Sequence, residues 1–222
     1  MSVDRLRLNA TKTKFLHLNP SVVTVLTASD SSPIELVEDF KYLGSFCNTD
    51  RDITTRTAQA WGALHSLKKV WKSNIKKESK TKVFRTCVET ILLYGSDSWT
   101  MNETRSKKLD GTYTKMLRSI YGISWHSRTS NKVLYGKLPK LTETISSRRL
   151  KLAGHAVRST EPSGRLLLWQ PDGKRRVGRP MKTLKDIIKA ETGLDDDVML
   201  TAAMADRDLW RKNFVMVSPP SG

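Results

Sequence analysis

Between Lys68 and Arg85 the chain carries eight cations in eighteen residues: Lys68, Lys69, Lys72, Lys76, Lys77, Lys80, Lys82 and Arg85. Glu78 is the single carboxylate among them. Side chains of this type at this density can neutralise the phosphates of a polyanion without reading its sequence. A merely solvated helix face would have the same composition, so both readings stay open. Further cations cluster at Arg148-Arg149 and at Lys174-Arg175-Arg176, with Arg179 close by. The whole chain of 222 residues has 39 Lys plus Arg against 22 Asp plus Glu, a net charge of +17. A nucleic acid is therefore the first partner to consider.

Other chemistry finds little frame in the sequence. Cys47 and Cys87 stand in no C-x-x-C pair, and the four histidines make no H-x-x-x-H. No metal or cofactor is expected for this chain. His155, after Gly154 in a helical pattern, reads as a packed or hydrogen-bonded residue rather than a ligand. Asp195, Asp196 and Asp197 read as the start of a helix, and so do Asp50 and Asp52. The two thiols suit a reduced, intracellular chain and are expected to be unpaired and partly buried. No apolar run of ~18 residues is present, so no membrane partner is expected, and the first residues are too polar for a secretory signal. Of the six tryptophans, Trp71 and Trp210 fall on apolar patterns, whereas Trp169 is the candidate for stacking on a base.

The elements that must position these residues are mostly helical. Short β-branched or apolar runs, Lys14–Asn19, Ser21–Thr27, Ile34–Val37 and Phe40–Phe46, predict a small β region at the start. Gly44 inside the last run predicts a bulge or close backbone approach, with Phe40, Tyr42 and Phe46 sharing one face. From Asp50 the period turns helical. Ile53, Thr57, Ala60, Leu64, Leu67 and Trp71 line one face. A second helix from Ser79 would bury Val83, Phe84, Cys87, Val88, Ile91 and Leu92. A third, capped at Asn102 and stopped near Gly122, would bury Leu109, Tyr113, Met116, Leu117 and Ile120. Helices are also predicted over Thr142–Arg158, Met181–Glu191 and Asp196–Phe214, with a Gly- and Pro-rich loop over Glu161–Pro180. The fold class is α+β, mostly α.

Several stretches carry a resemblance. Asn9-Ala-Thr-Lys12-Thr13 resembles the N-x-x-K-T element, and Phe40-Lys41-Tyr42-Leu43-Gly44 the F-K-Y-L-G element, of non-LTR retrotransposon reverse transcriptases. Leu92-Leu-Tyr-Gly-Ser-Asp-Ser-Trp99 is similar to that family's LLYG-x-E-x-W segment. Arg148-Arg149-Leu150 with Gly154-His155 and Arg158 is similar to its RRL-x-x-x-GH-x-x-R segment. Arg175-Arg-Val-Gly-Arg-Pro180 and Asp206-Arg-Asp-Leu-Trp-Arg211 resemble its RRRGRP and DR-x-x-WR stretches. Together they span residues ~5 to ~212 in family order.

The resemblance implies an incomplete palm over 1–48, a helical thumb over 49–135, a basic helical region over 136–217 and a tail over 218–222. It places Lys12 near nucleotide phosphates, and Phe40, Lys41, Tyr42, Leu43 and Gly44 in a primer-grip hairpin. It assigns Lys68, Lys69, Lys72 and Lys76, with Arg148, Arg149, Arg175, Arg176 and Arg179, to nucleic-acid contact. The implied partner is RNA, DNA or an RNA–DNA hybrid template–primer. The family's catalytic carboxylates, which hold Mg2+ in the full enzyme, lie in elements before the N-x-x-K-T segment, and no Y-x-D-D occurs in this sequence. These 222 residues alone are therefore expected to have no polymerase or endonuclease activity. Gly178-Arg179-Pro180 is also similar to the AT-hook, although Val177 stands where an arginine is usual, so generic phosphate contact is expected there. A basic cluster of this kind also serves as a nuclear address. The alternative is a co-opted or inert transposon-derived chain acting as an interaction module.

Overall fold

A computed structural model describes residues 9, 12–16, 26–27, 32–159, 162–169 and 183–216. Arg175, Arg176 and Arg179, and most of the expected Ser21–Thr27 strand, lie outside them. The chain divides into two compact units, residues 1–58 and 59–222, and the architecture is mostly helical with four short strands among the described residues.

In the first unit, β1 (Lys14–Leu16) pairs parallel with β2 (Glu35–Val37), Phe15 opposite Leu36. The rest of the run expected to Asn19, from His17, lies outside the described residues. β3 (Lys41–Tyr42) and β4 (Ser45–Phe46) form an antiparallel hairpin. Its two-residue turn is Leu43-Gly44, both with positive φ (47° and 89°). That is the signature of a type I′ turn, whose twist matches the flanking strands. Gly44 therefore closes a turn and is not a bulge. The face expected to be shared by Phe40, Tyr42 and Phe46 also fails, because Phe46 stands opposite Lys41 rather than Tyr42, and Tyr42 is 64% exposed; Leu43, at the tip, is 77% exposed.

α1 (Thr49–Ser66) begins where the Asn48 side chain accepts hydrogen bonds from the Asp50 and Arg51 N–H groups at 2.9 and 3.2 Å. Ile53, Ala60 and Leu64 are buried as predicted, but the helix breaks at Leu67 and restarts as α2 (Lys68–Lys72). Buried Trp71 holds the joint by donating its indole N–H to the Leu64 carbonyl at 2.7 Å.

α3 (Lys77–Phe84) runs through a π turn, Arg85–Glu89, into α4 (Thr90–Leu92). The wider turn, with its i→i+5 bonding, moves the inward face onto Val88 and Glu89 and then Leu92 and Leu93. Cys87 is left exposed, and so is Cys47, against expectation for both. Buried Glu89 accepts the Tyr113 hydroxyl at 2.8 Å. Burial, then the Glu89 charge, push that phenol well above its ordinary value.

α5 (Glu103–Tyr121) matches the prediction closely: Asn102 caps it, Gly122 ends it, and all five expected residues are buried. α6 (Asn131–Tyr135) follows, then α7 (Leu141–Arg158). The Asp110 carboxylate on α5 accepts from Thr142 N–H at 3.1 Å and Thr142 Oγ1 at 2.9 Å, placing negative charge at the positive end of α7.

Beyond α7, the expected loop instead contains α8 (Pro162–Leu168). α9 (Leu184–Thr192) opens on a reciprocal cap between Thr183 and Asp186 and ends at Gly193. The single helix expected from Asp196 is divided into α10 (Asp197–Ala205) and α11 (Arg207–Trp210), the latter continuing as a π turn, Arg211–Val215. The division falls at Asp206, whose carboxylate accepts from the Asp208 and Leu209 N–H groups and starts a new helix. Leu150, Ala153, Ile188, Leu200, Met204 and Trp210 form the core of this end of the molecule. Among the described residues, no helix is long and apolar enough to cross a membrane.

Candidate nucleic-acid interface

In the first unit, the described residues of the N-x-x-K-T element are tied to one another. The Asn9 carbonyl accepts from the Lys12 and Thr13 N–H groups at 3.1 and 2.9 Å and from Thr13 Oγ1 at 2.8 Å. Lys12 is exposed beside it. The hairpin is fixed from beneath by α1. Buried Asp52 accepts the Phe46 N–H at 3.0 Å, and Arg56 donates to the Gly44 carbonyl and to Ser45 Oγ. The Arg51 guanidinium lies 4.3 Å from the centre of the Phe46 ring. Lys41, Tyr42, Leu43 and Gly44 are thereby held out in solvent, with Phe40 half-buried.

In the second unit, Lys68, Lys69, Lys72 and Lys76 are all exposed. Their neighbours are partly committed within the protein. Lys80 Nζ donates to the Trp71 carbonyl at 2.7 Å, and Lys77 Nζ sits 4.5 Å over the Tyr121 ring. Arg85 lies 3.6 Å from Glu89. The hollow that Lys82 and Arg85 line is also lined by Glu78 and Glu89, so its charge is mixed.

The more uniform positive site lies on α7. Arg148, Lys151, His155 and Arg158 are spaced 3, 4 and 3 apart, which puts them on one helix face. They face Arg207 and Arg211 across a cleft of about 690 Å³. Five permanent cations and an exposed histidine line it, and no carboxylate does among the described residues. Three contacts build the walls. Trp210 donates its indole N–H to the Leu150 carbonyl at 2.8 Å, Ser147 Oγ donates to the Val215 carbonyl, and Arg158 donates to the Met204 carbonyl.

Gly154 is what lets Trp210 approach. A Cβ there would stand 2.5 Å from the indole nitrogen. The glycine of G-H-x-x-R and the tryptophan of D-R-x-x-W-R are thus two halves of one contact. Arg148 donates one N–H to the Leu93 carbonyl at 2.9 Å, and a guanidinium has five such donors. His155, expected to be packed or hydrogen-bonded rather than a ligand, is exposed at the cleft and so is not packed in the core.

Arg149 points elsewhere. It is 3% exposed, paired with Glu191 and donating to the Trp99 carbonyl at 3.1 Å. It ties α7 to α9 and to the Leu92–Trp99 segment, and has no face left for a ligand. Lys151, Arg158, Arg207 and Arg211 stand in this site although the motifs alone do not single them out. Their three-to-four spacing was the available signal. Among the described residues, no group of three or more His, Cys, Asp or Glu side chains is placed to hold a metal ion.

No known protein-family profile matches the chain, and no solved structure does. The chain is 27% identical over 209 residues to an uncharacterized transposon-derived protein of Caenorhabditis elegans, a similarity covering 86% of this chain and 75% of that protein. That similarity suggests a transposon origin.

Proposed function

We propose that the chain is a transposon-derived, nucleic-acid-binding piece of a non-LTR retrotransposon reverse transcriptase, and that it holds a template–primer through its phosphates without catalysing its extension. The observation that carries this reading is the α7 cleft, where five cations converge and no carboxylate lines the space among the described residues. Fixed guanidiniums in a concave site suit phosphate oxygens, because the donors are planar and already oriented. The rigid hairpin with Tyr42 and Leu43 at its tip is consistent with a grip on a primer terminus. The absence of a Y-x-D-D sequence leaves no recognised metal-holding pair for nucleotide addition.

The test is equilibrium binding of the full chain to an RNA–DNA hybrid between about 50 and 200 mM salt. Four phosphate contacts give a slope of log affinity against log salt of about −3 to −4. Absence of binding at the lowest salt overturns the reading. Primer extension by the isolated chain overturns its second half.

A further inference from the structure

Beside the cleft, and sharing His155 with it, runs a second concavity of about 570 Å³. Its lining is of a different kind. Leu152, Leu166, Trp169 and Leu184 are 50%, 69%, 62% and 42% exposed, a concentration of apolar surface that a globular chain does not ordinarily leave in water. Ser159, Ser163 and Thr183 add hydroxyls, and among the described residues none with a permanent charge lines it. α8 forms its outer wall and is set tightly on α7. A Cβ on Gly164 would meet the Ala156 carbonyl oxygen at 2.4 Å, so the two backbones touch there. Lys151 and Leu152, adjacent on α7, line the cleft and the groove respectively.

We infer that cleft and groove form one track for a single-stranded nucleic acid, its phosphates on the cationic side and its unstacked bases against Trp169, Leu166 and Leu152. The inference rests on the phosphate-binding reading of the cleft and extends it to the kind of strand bound. Charge selects the occupant: a polyanion drawn to the cleft brings its own apolar, hydrogen-bonding surface within reach of the groove. A duplex does not, because its bases are stacked inside and it presents only backbone. Single-strand sites combine a basic channel with an aromatic platform in this way, since every base has a face to stack. The hydroxyls of Ser159, Ser163 and Thr183 are suited to base edges or to a ribose 2′-OH.

The experiment compares the full chain and its Trp169→Ala variant against three probes of equal length: an oligouridylate, a single strand without bases, and an RNA–DNA hybrid. A deoxy version of the first probe separates RNA from DNA. The wild-type chain is expected to bind the oligouridylate about 5- to 100-fold more tightly than the baseless strand. Trp169→Ala should remove that difference, with the baseless strand, the hybrid and the salt slope unchanged. Trp169→Phe should restore most of it, and Leu166→Ser should reproduce part of the loss. Because Trp169 and Leu166 are exposed, neither change should lower the unfolding temperature. Equal affinity of the wild type for baseless and base-bearing strands would overturn the inference while leaving phosphate binding intact. So would an equal loss on all three probes, or self-association abolished by Leu166→Ser. No binding to any probe would overturn both readings.

Discussion

Two basic regions of the helical unit make an instructive pair. The Lys68–Arg85 stretch has the higher density along the chain, yet its cations turn to different ends. Lys80 is spent on a backbone carbonyl, Lys77 on a tyrosine ring and Arg85 on Glu89, while the rest stand in solvent. The α7 cleft draws its cations from two segments some fifty residues apart and points them into one space. Concavity matters because charges of one sign around a low-dielectric hollow reinforce each other's potential, whereas lysines spread on a convex helix are screened separately. Charge density in sequence thus does not say which cations share a hollow.

The comparison can be broken most forcefully at the contact that builds the cleft. Trp210→Ala is expected to lower stability by about 3–5 kcal/mol in urea unfolding, because it empties the centre of the C-terminal core and frees α11 from α7. A variant as stable as the parent would mean that the two walls are held by something else.

Next in size is the contrast between charge reversals. Lys151→Glu with Arg211→Glu, both on exposed side chains, should weaken hybrid binding about 100-fold near 100 mM salt and flatten the salt slope by about 2. Lys69→Glu with Lys72→Glu should cost less than about 5-fold, since both lysines stand exposed in solvent, where salt screens them. Equal losses would erase the distinction drawn between the regions.

A smaller effect is expected from Gly154→Ala. Its methyl group collides with the Trp210 indole and should cost about 1–3 kcal/mol in stability. Binding should fall only as far as the indole is displaced. A neutral result in both readouts would refute the explanation given for the glycine.

The smallest effect is in pH dependence near the Arg149 anchor. Burial holds the Glu191 carboxyl above its ordinary value, with Arg149 opposing. The folded state keeps that proton more tightly than the unfolded one. The stability from this group is therefore full below the unfolded value of about 4.5 and is lost as pH rises through the folded value. Asp197 behaves in the reverse sense, because hydrogen bonds from Lys185 and Lys189 hold it below its ordinary value. Its contribution is present above the unfolded value and is lost as pH falls through the folded one. Thermal unfolding across the carboxylate range should accordingly show Glu191→Gln removing a decline toward neutral pH and Asp197→Asn removing a decline toward acid.

Local rules carried the reading of the helices a long way. The stripe of Leu109, Tyr113, Met116, Leu117 and Ile120 and the caps at Asn102 and Asp196 are decided by neighbours within a few residues, and the structure has them where the periodicity puts them. The departures occur where a longer-range or finer balance wins. The π turn at Arg85–Glu89 turns Cys87 outward, and Asp206 captures two N–H groups and divides a helix. The spacing of Arg148, Lys151, His155 and Arg158 puts them on one helix face. That Arg149 is buried against Glu191, and that Arg207 and Arg211 complete the cleft, no spacing shows.

From its sequence alone, then, this protein is a strongly basic, mostly helical chain with a short β segment, because composition and hydrophobic period are properties of residues and their near neighbours. Only the tertiary structure decided which cations share a space. That depends on Trp210 seating against Gly154, a contact between residues far apart in the chain, and no local pattern specifies which distant surfaces meet.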